Sequence, residues 1–156
     1  MKALEIIRII SITVVGIALV LIGQPWLYRS NVISLDVPDI EQWIATDYTV
    51  GTYWVLGASV IATLVWYVSA ASANPLTAKA TASWRLLWWI FLLLPIAGIG
   101  IAMYLQNEPS ARLWLVAMYV FDILLLYWLP TASSSPGLTK YLPPGSRNIR
   151  NLVEPA

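Results

Sequence analysis

Asp122 is the residue whose type and setting most suggest chemistry. It sits in the run Met118-Tyr-Val-Phe-Asp122-Ile-Leu-Leu-Leu, the one charge between Arg112 and Pro130. A carboxylate in apolar surroundings has to be hydrogen-bonded, paired or neutral, because an uncompensated buried charge is costly. Three uses follow. It can join helices through Ser59, Thr63 or a tyrosine hydroxyl, it can dock a charge from another subunit, or it can handle a proton or an ion. A lone acid without a relay of others favours the first two.

The rest of the composition removes most other chemistry. There are no cysteines and no histidines, so disulfides, thiol nucleophiles, structural zinc and histidine general bases are excluded. The phosphate-loop pattern G-x-x-x-x-G-K, the zinc pattern H-E-x-x-H, the nucleophile elbow G-x-S-x-G and paired hydrolytic acids are all absent. No catalytic residue, metal or cofactor is expected. A net charge of +1 suggests no nucleic-acid partner.

The elements that must carry Asp122 are written in the hydropathy. Hydrophobic residues make up 59% of the 156 and charged residues only 11%, against about 25% charged in a soluble domain. A chain this short has too little interior to hide that much apolar surface from water. Apolar runs of about 20 residues match the hydrocarbon thickness of a bilayer. They predict four spanning helices, at 7–27, 50–71, 86–106 and 112–129. The first carries Lys2 and Arg8 at its start but lacks a signal-peptidase site, so it reads as uncleaved. The third contains Pro95, which should kink it, and the fourth should stop at Pro130. The fold class expected is therefore all-α, an integral membrane four-helix bundle.

Between the first two runs, Pro38-Asp39-Ile40-Glu41-Gln42-Trp43-Ile44 reads as a short helix start, with Asp36 as a cap. Ile40, Trp43 and Ile44 share one face, which suits a helix lying in the membrane interface. Gly57, Ala58 and Ala62, with Gly98 and Ala102, are spaced for close helix approach. Glu5 and Arg8 are positioned to pair.

Orientation follows from the basic residues near the ends of the spans. Lys2, Arg8, Lys79, Arg85, Lys140, Arg147 and Arg150 fall on one side, and only Arg29 and Arg112 on the other. That places both termini in the cytoplasm. The nine tryptophans read as aromatic belts, with Trp26, Trp43 and Trp54 at one boundary and Trp84, Trp88, Trp89 and Trp128 at the other. A pigment or quinone surface, with lipid or pigment contacts through these rings, is the sharper alternative.

Residues 131–156 form a Pro/Ser-rich cytoplasmic tail, too rich in proline for a long helix. It keeps Leu138, Tyr141, Leu142 and Leu152 at intervals, more apolar than a disordered segment normally is. Tyr141, Leu142, Arg147 and Arg150 are the candidates for docking it onto the bundle or a partner.

The Tyr-Trp-Leu-Pro-Thr-Ala end of the last run and the following Leu-Pro-Pro-Gly, within Tyr127 to Gly145, resemble the small uncharacterised four-helix membrane proteins of cyanobacteria. The resemblance covers about an eighth of the chain and implies a plasma or thylakoid membrane and service to a photosynthetic or respiratory complex. The sequence then favours a non-catalytic accessory subunit or assembly factor, in contact with lipid and other membrane subunits. The alternative is a small oligomeric channel or transport protein using Asp122.

Overall fold

The computed structural model describes residues 2–72, 78–135, 139, 141–146 and 148–149. Among them the chain is all-helical, with four helices long and apolar enough to cross a membrane: α1 Ala3–Arg29, α2 Ile40–Ala71, α3 Ser83–Leu105 and α4 Pro109–Ala132. One end of the bundle carries the start of α1 and the end of α4, where Arg8 meets Ser133 (terminal end). The other carries the α1–α2 and α3–α4 connections (loop end).

The helix starting at Ile40 is not a separate element. Asp39 caps it, its Oδ1 accepting the amides of Glu41 and Gln42 at 3.0 Å each, so the cap is Asp39 and not Asp36. From there the helix runs without a break through Ile44–Tyr48 into Thr49–Ser72. Trp43 and Ile44 are buried, with Trp43 edge-on to Tyr28. At the surface, Arg29 grips both carboxylate oxygens of Glu41 at 2.8 and 3.0 Å, tying the end of α1 to the start of α2.

Three helices each contain one π-helical turn: Leu19–Gly23 in α1, Ile44–Tyr48 in α2 and Leu124–Trp128 in α4. Two have the same physical origin. Pro25 and Pro130 each stand two residues past a π turn. A proline ring collides with the carbonyl four residues earlier and offers no N–H, and a wider turn relieves the collision.

In α1 the amide of Gln24 bonds Leu19 O. The remaining donor in reach of Val20 O would be residue 25, a proline, so the hydroxyl of Tyr48 on α2 donates there instead, at 2.6 Å. In α4 Pro130 takes the donor from Leu126 O, and Thr63 on α2 supplies its hydroxyl at 2.7 Å. With that carbonyl satisfied, α4 does not stop at Pro130. It continues to Ala132.

α2 and α3 pack closely at Gly98, where a Cβ would lie 3.1 Å from Trp54 O and 3.3 Å from Val55 Cα. Ala62 and Ala102 are buried, as their spacing suggested, while Gly57 has nothing within 4 Å of a would-be Cβ. α3 passes through Pro95 without ending.

The tryptophans divide. Trp43, Trp66 and Trp88 are core residues, whereas Trp26, Trp54, Trp89 and Trp114 face outward. The belt reading therefore fails for Trp43 and Trp88. Their rings fill the bundle: Trp88 stacks on Tyr127 at 5.2 Å, and the Tyr127 hydroxyl donates to Trp88 O.

Candidate functional site

Two polar centres hold the bundle together, one in the helical interior and one at the terminal end. The interior centre is built on Asp122, which is 0% exposed. Its partner is Gln24 of α1, whose Nε2 donates to Oδ1 at 2.5 Å. The other end of that amide, Oε1, lies 2.9 Å from the Tyr48 hydroxyl, which also reaches Val20 O. A single side chain thus links α4, α1 and α2 in one line: Asp122, Gln24, Tyr48.

Tyrosines enclose this line. Tyr28 packs edge-on against Tyr48 at 5.4 Å, and Tyr119 points its hydroxyl at Tyr48 O at 3.4 Å. Gly51 makes room for Tyr119, since a Cβ there would lie 2.2 Å from the hydroxyl oxygen. Asp122 Oδ2, Thr52 Oγ1 and the Tyr28 hydroxyl are buried with no hydrogen-bond partner among the described residues. Chemically the centre offers a carboxyl, an amide and several hydroxyls, sealed from the surface and adjoining all three π turns.

The expected partners of Asp122 were Ser59, Thr63 or a tyrosine, and the fold assigns the role to Gln24. Thr63 is occupied with Leu126 O. Ser59 is buried, and its hydroxyl has no partner among the described residues. Gln24 carried a readable signal, being a polar side chain inside the first apolar run and next to a proline. Tyr48 carried none, because a tyrosine at a helix end reads equally well as an interfacial anchor.

The second centre gathers the end of α4, the start of α1 and the tail. Arg8 Nη2 donates to Ser133 O at 2.6 Å and lies 3.8 Å from Glu5. The Glu5 carboxylate accepts the Ser135 amide, and the Ser135 hydroxyl at 2.6 Å. The Tyr67 hydroxyl donates to Pro130 O at 2.6 Å and lies 2.9 Å from Ser134 Oγ. Residues 133–135, which the sequence assigns to the tail, are thus sewn to α1 and α2 by hydrogen bonds.

Beyond them the described tail residues fold back on the bundle. Tyr141 is buried edge-on to Trp66 at 5.6 Å, and burial raises its hydroxyl pKa. Leu142 is partly buried. Trp128 Nε1 donates to Pro144 O at 3.0 Å. Gly145, at φ +87°, lies so close to the Trp128 indole that a Cβ would be 2.7 Å from Cζ2. Ser146, Asn148 and Ile149 are helical, while Arg147 and Arg150 lie outside the described residues. The docking surface for Tyr141 is thus the chain's own bundle.

Comparison with protein-family models, with curated proteins and with solved structures finds no match for this chain.

Proposed function

We propose that this chain is a multi-pass integral membrane protein, with both termini cytoplasmic, that serves as a non-catalytic subunit or stabilising factor of a larger membrane assembly. The observation that carries this reading is the setting of Asp122. The carboxylate is shut inside the bundle and joined to Gln24, so its polarity connects helices and no substrate reaches it.

The outer surface adds support. It is apolar and aromatic, with Trp26, Tyr53, Trp54 and Trp114 exposed. A groove between α2 and α3 has a floor of Gly57, Ala58, Ala97 and Gly98, a texture that admits close approach by another helix. The sidedness rests on the distribution of Lys and Arg. The resemblance of the Tyr127–Gly145 segment favours a cyanobacterial plasma or thylakoid membrane and a photosynthetic or respiratory partner.

Tagged protein, solubilised in mild detergent and resolved by native electrophoresis, should run with other membrane subunits that mass spectrometry can identify. A lone species under every mild condition overturns the reading. The rival, an oligomeric channel or transporter, is favoured by one observation: all three π turns adjoin the Asp122 centre, and such turns gather at functional sites. It requires Asp122→Asn to abolish a flux in reconstituted vesicles while the fold survives. A flux unchanged by that substitution removes the rival.

A further inference from the structure

At the loop end, α3 and α4 border a shallow, open cleft of about 600 Å³ lined by Met103, Tyr104, Arg112, Leu113 and Val116. The cleft opens on the outside of the bundle, with Tyr104 and Leu113 almost fully exposed. Its walls are apolar except for Arg112 and the Tyr104 hydroxyl.

Among the described residues nothing uses the charge of Arg112. The side chain is exposed, and no hydrogen bond or ion pair reaches it among the described residues. The other arginine at this end, Arg29, is held by both oxygens of Glu41. Glu108 is four residues before Arg112 but lines a different cleft, with Pro38 and Asn107. Arg112 also opens the α-helical stretch Arg112–Ile123, where the helix dipole makes a cation unfavourable. An anion beside the guanidinium would relieve that cost.

A cation at the end of a spanning helix, with an apolar cleft beside it, has the polarity of a phospholipid. We propose that this cleft binds one anionic phospholipid. Arg112 pairs with its phosphate, one acyl chain lies over Met103, Leu113 and Val116, and the Tyr104 hydroxyl sits at headgroup level. A zwitterionic headgroup fits less well, because its own ammonium competes for the phosphate. The proposal rests on the membrane reading above and is independent of the accessory role.

Native mass spectrometry of the full-length protein in detergent tests it, with phosphatidylglycerol, phosphatidylcholine and inorganic phosphate added in separate titrations. Phosphatidylglycerol should be retained as one molecule, about fivefold better than phosphatidylcholine, the value of one well-placed arginine at a membrane surface. Arg112→Gln should abolish that preference and Arg112→Lys should keep it. Val116→Trp, which fills the cleft and leaves the charge, should weaken retention of both lipids.

Equal retention of the two lipids overturns the site, as does a preference that survives Arg112→Gln. Displacement of the lipid by inorganic phosphate alone also overturns it, since the cleft would then take a free anion. A protein that stays monodisperse without detergent fails at the earlier step, the membrane reading, and is told apart by that behaviour.

Discussion

Thr63→Val isolates the device that lets α4 continue past a proline. Valine keeps the branched shape of threonine, so the substitution removes a hydroxyl and leaves no cavity. That hydroxyl lies 2.7 Å from Leu126 O, on a residue only 4% exposed, and Pro130 has already taken the carbonyl's backbone donor. A buried acceptor left without a partner costs about 1–3 kcal/mol, and interhelical hydrogen bonds in bilayers measure about 0.6–1.7 kcal/mol. The expected loss is therefore about 1–1.5 kcal/mol, within the range where those two estimates overlap.

Pro130→Ala returns an N–H to the last turn and makes the threonine redundant. In that background Thr63→Val should cost less than about 0.5 kcal/mol, a coupling of about 1 kcal/mol between two residues on different helices. Unfolding in mixed micelles of a mild detergent and dodecyl sulfate, followed by tryptophan fluorescence, measures all four proteins. If Thr63→Val costs the same with and without Pro130, the carbonyl has another donor and Thr63 does not stand in for the proline's missing N–H.

Three further substitutions probe the other contacts. Gln24→Leu removes the amide that joins Asp122 to Tyr48 and should cost about 2–3 kcal/mol in the same assay; a loss under about 0.5 kcal/mol would mean that this line does not hold α1 to α4. Gly51→Ala drives a methyl to within 2.2 Å of the Tyr119 hydroxyl oxygen and should destabilise by about 1–3 kcal/mol. Tyr119→Phe should recover part of that loss, and no recovery would show that the collision lies elsewhere. Gly145→Ala meets both a left-handed backbone and the Trp128 ring; limited proteolysis should then cut the tail faster while the bundle stays intact, and an unchanged cleavage rate refutes the clasp.

The helices were legible because their signal is bulk hydrophobicity, which needs no knowledge of neighbours. The four apolar runs correspond to the four helices, and the ends differ where a tertiary contact intervenes. α4 outruns Pro130 because Thr63, distant in sequence, supplies the missing donor. α2 begins at Ile40 because Asp39 caps a turn whose apolar face goes against Tyr28 and Tyr48. Asp122 was legible as an anomaly, but its partner was not, since depth along one helix does not say which side chain on another stands opposite. Trp43 and Trp88 were misplaced for a related reason: an indole near a helix end suits a lipid interface and a bundle interior equally well.

The pairing of prolines on α1 and α4 with hydroxyls on α2 bears on how such a chain is built. Helices leave the ribosome in order, and hydrocarbon offers no water to a stranded acceptor, each one costing about 1–3 kcal/mol. On the membrane reading proposed above, the first helix would enter with Val20 O unanswered until Tyr48 arrives on the second, and the hairpin of the two would be the earliest intermediate to rest in the bilayer. The fourth enters last and finds Thr63 already waiting for Leu126 O. The second helix thereby serves as a template, relieving its predecessor and receiving its latest neighbour.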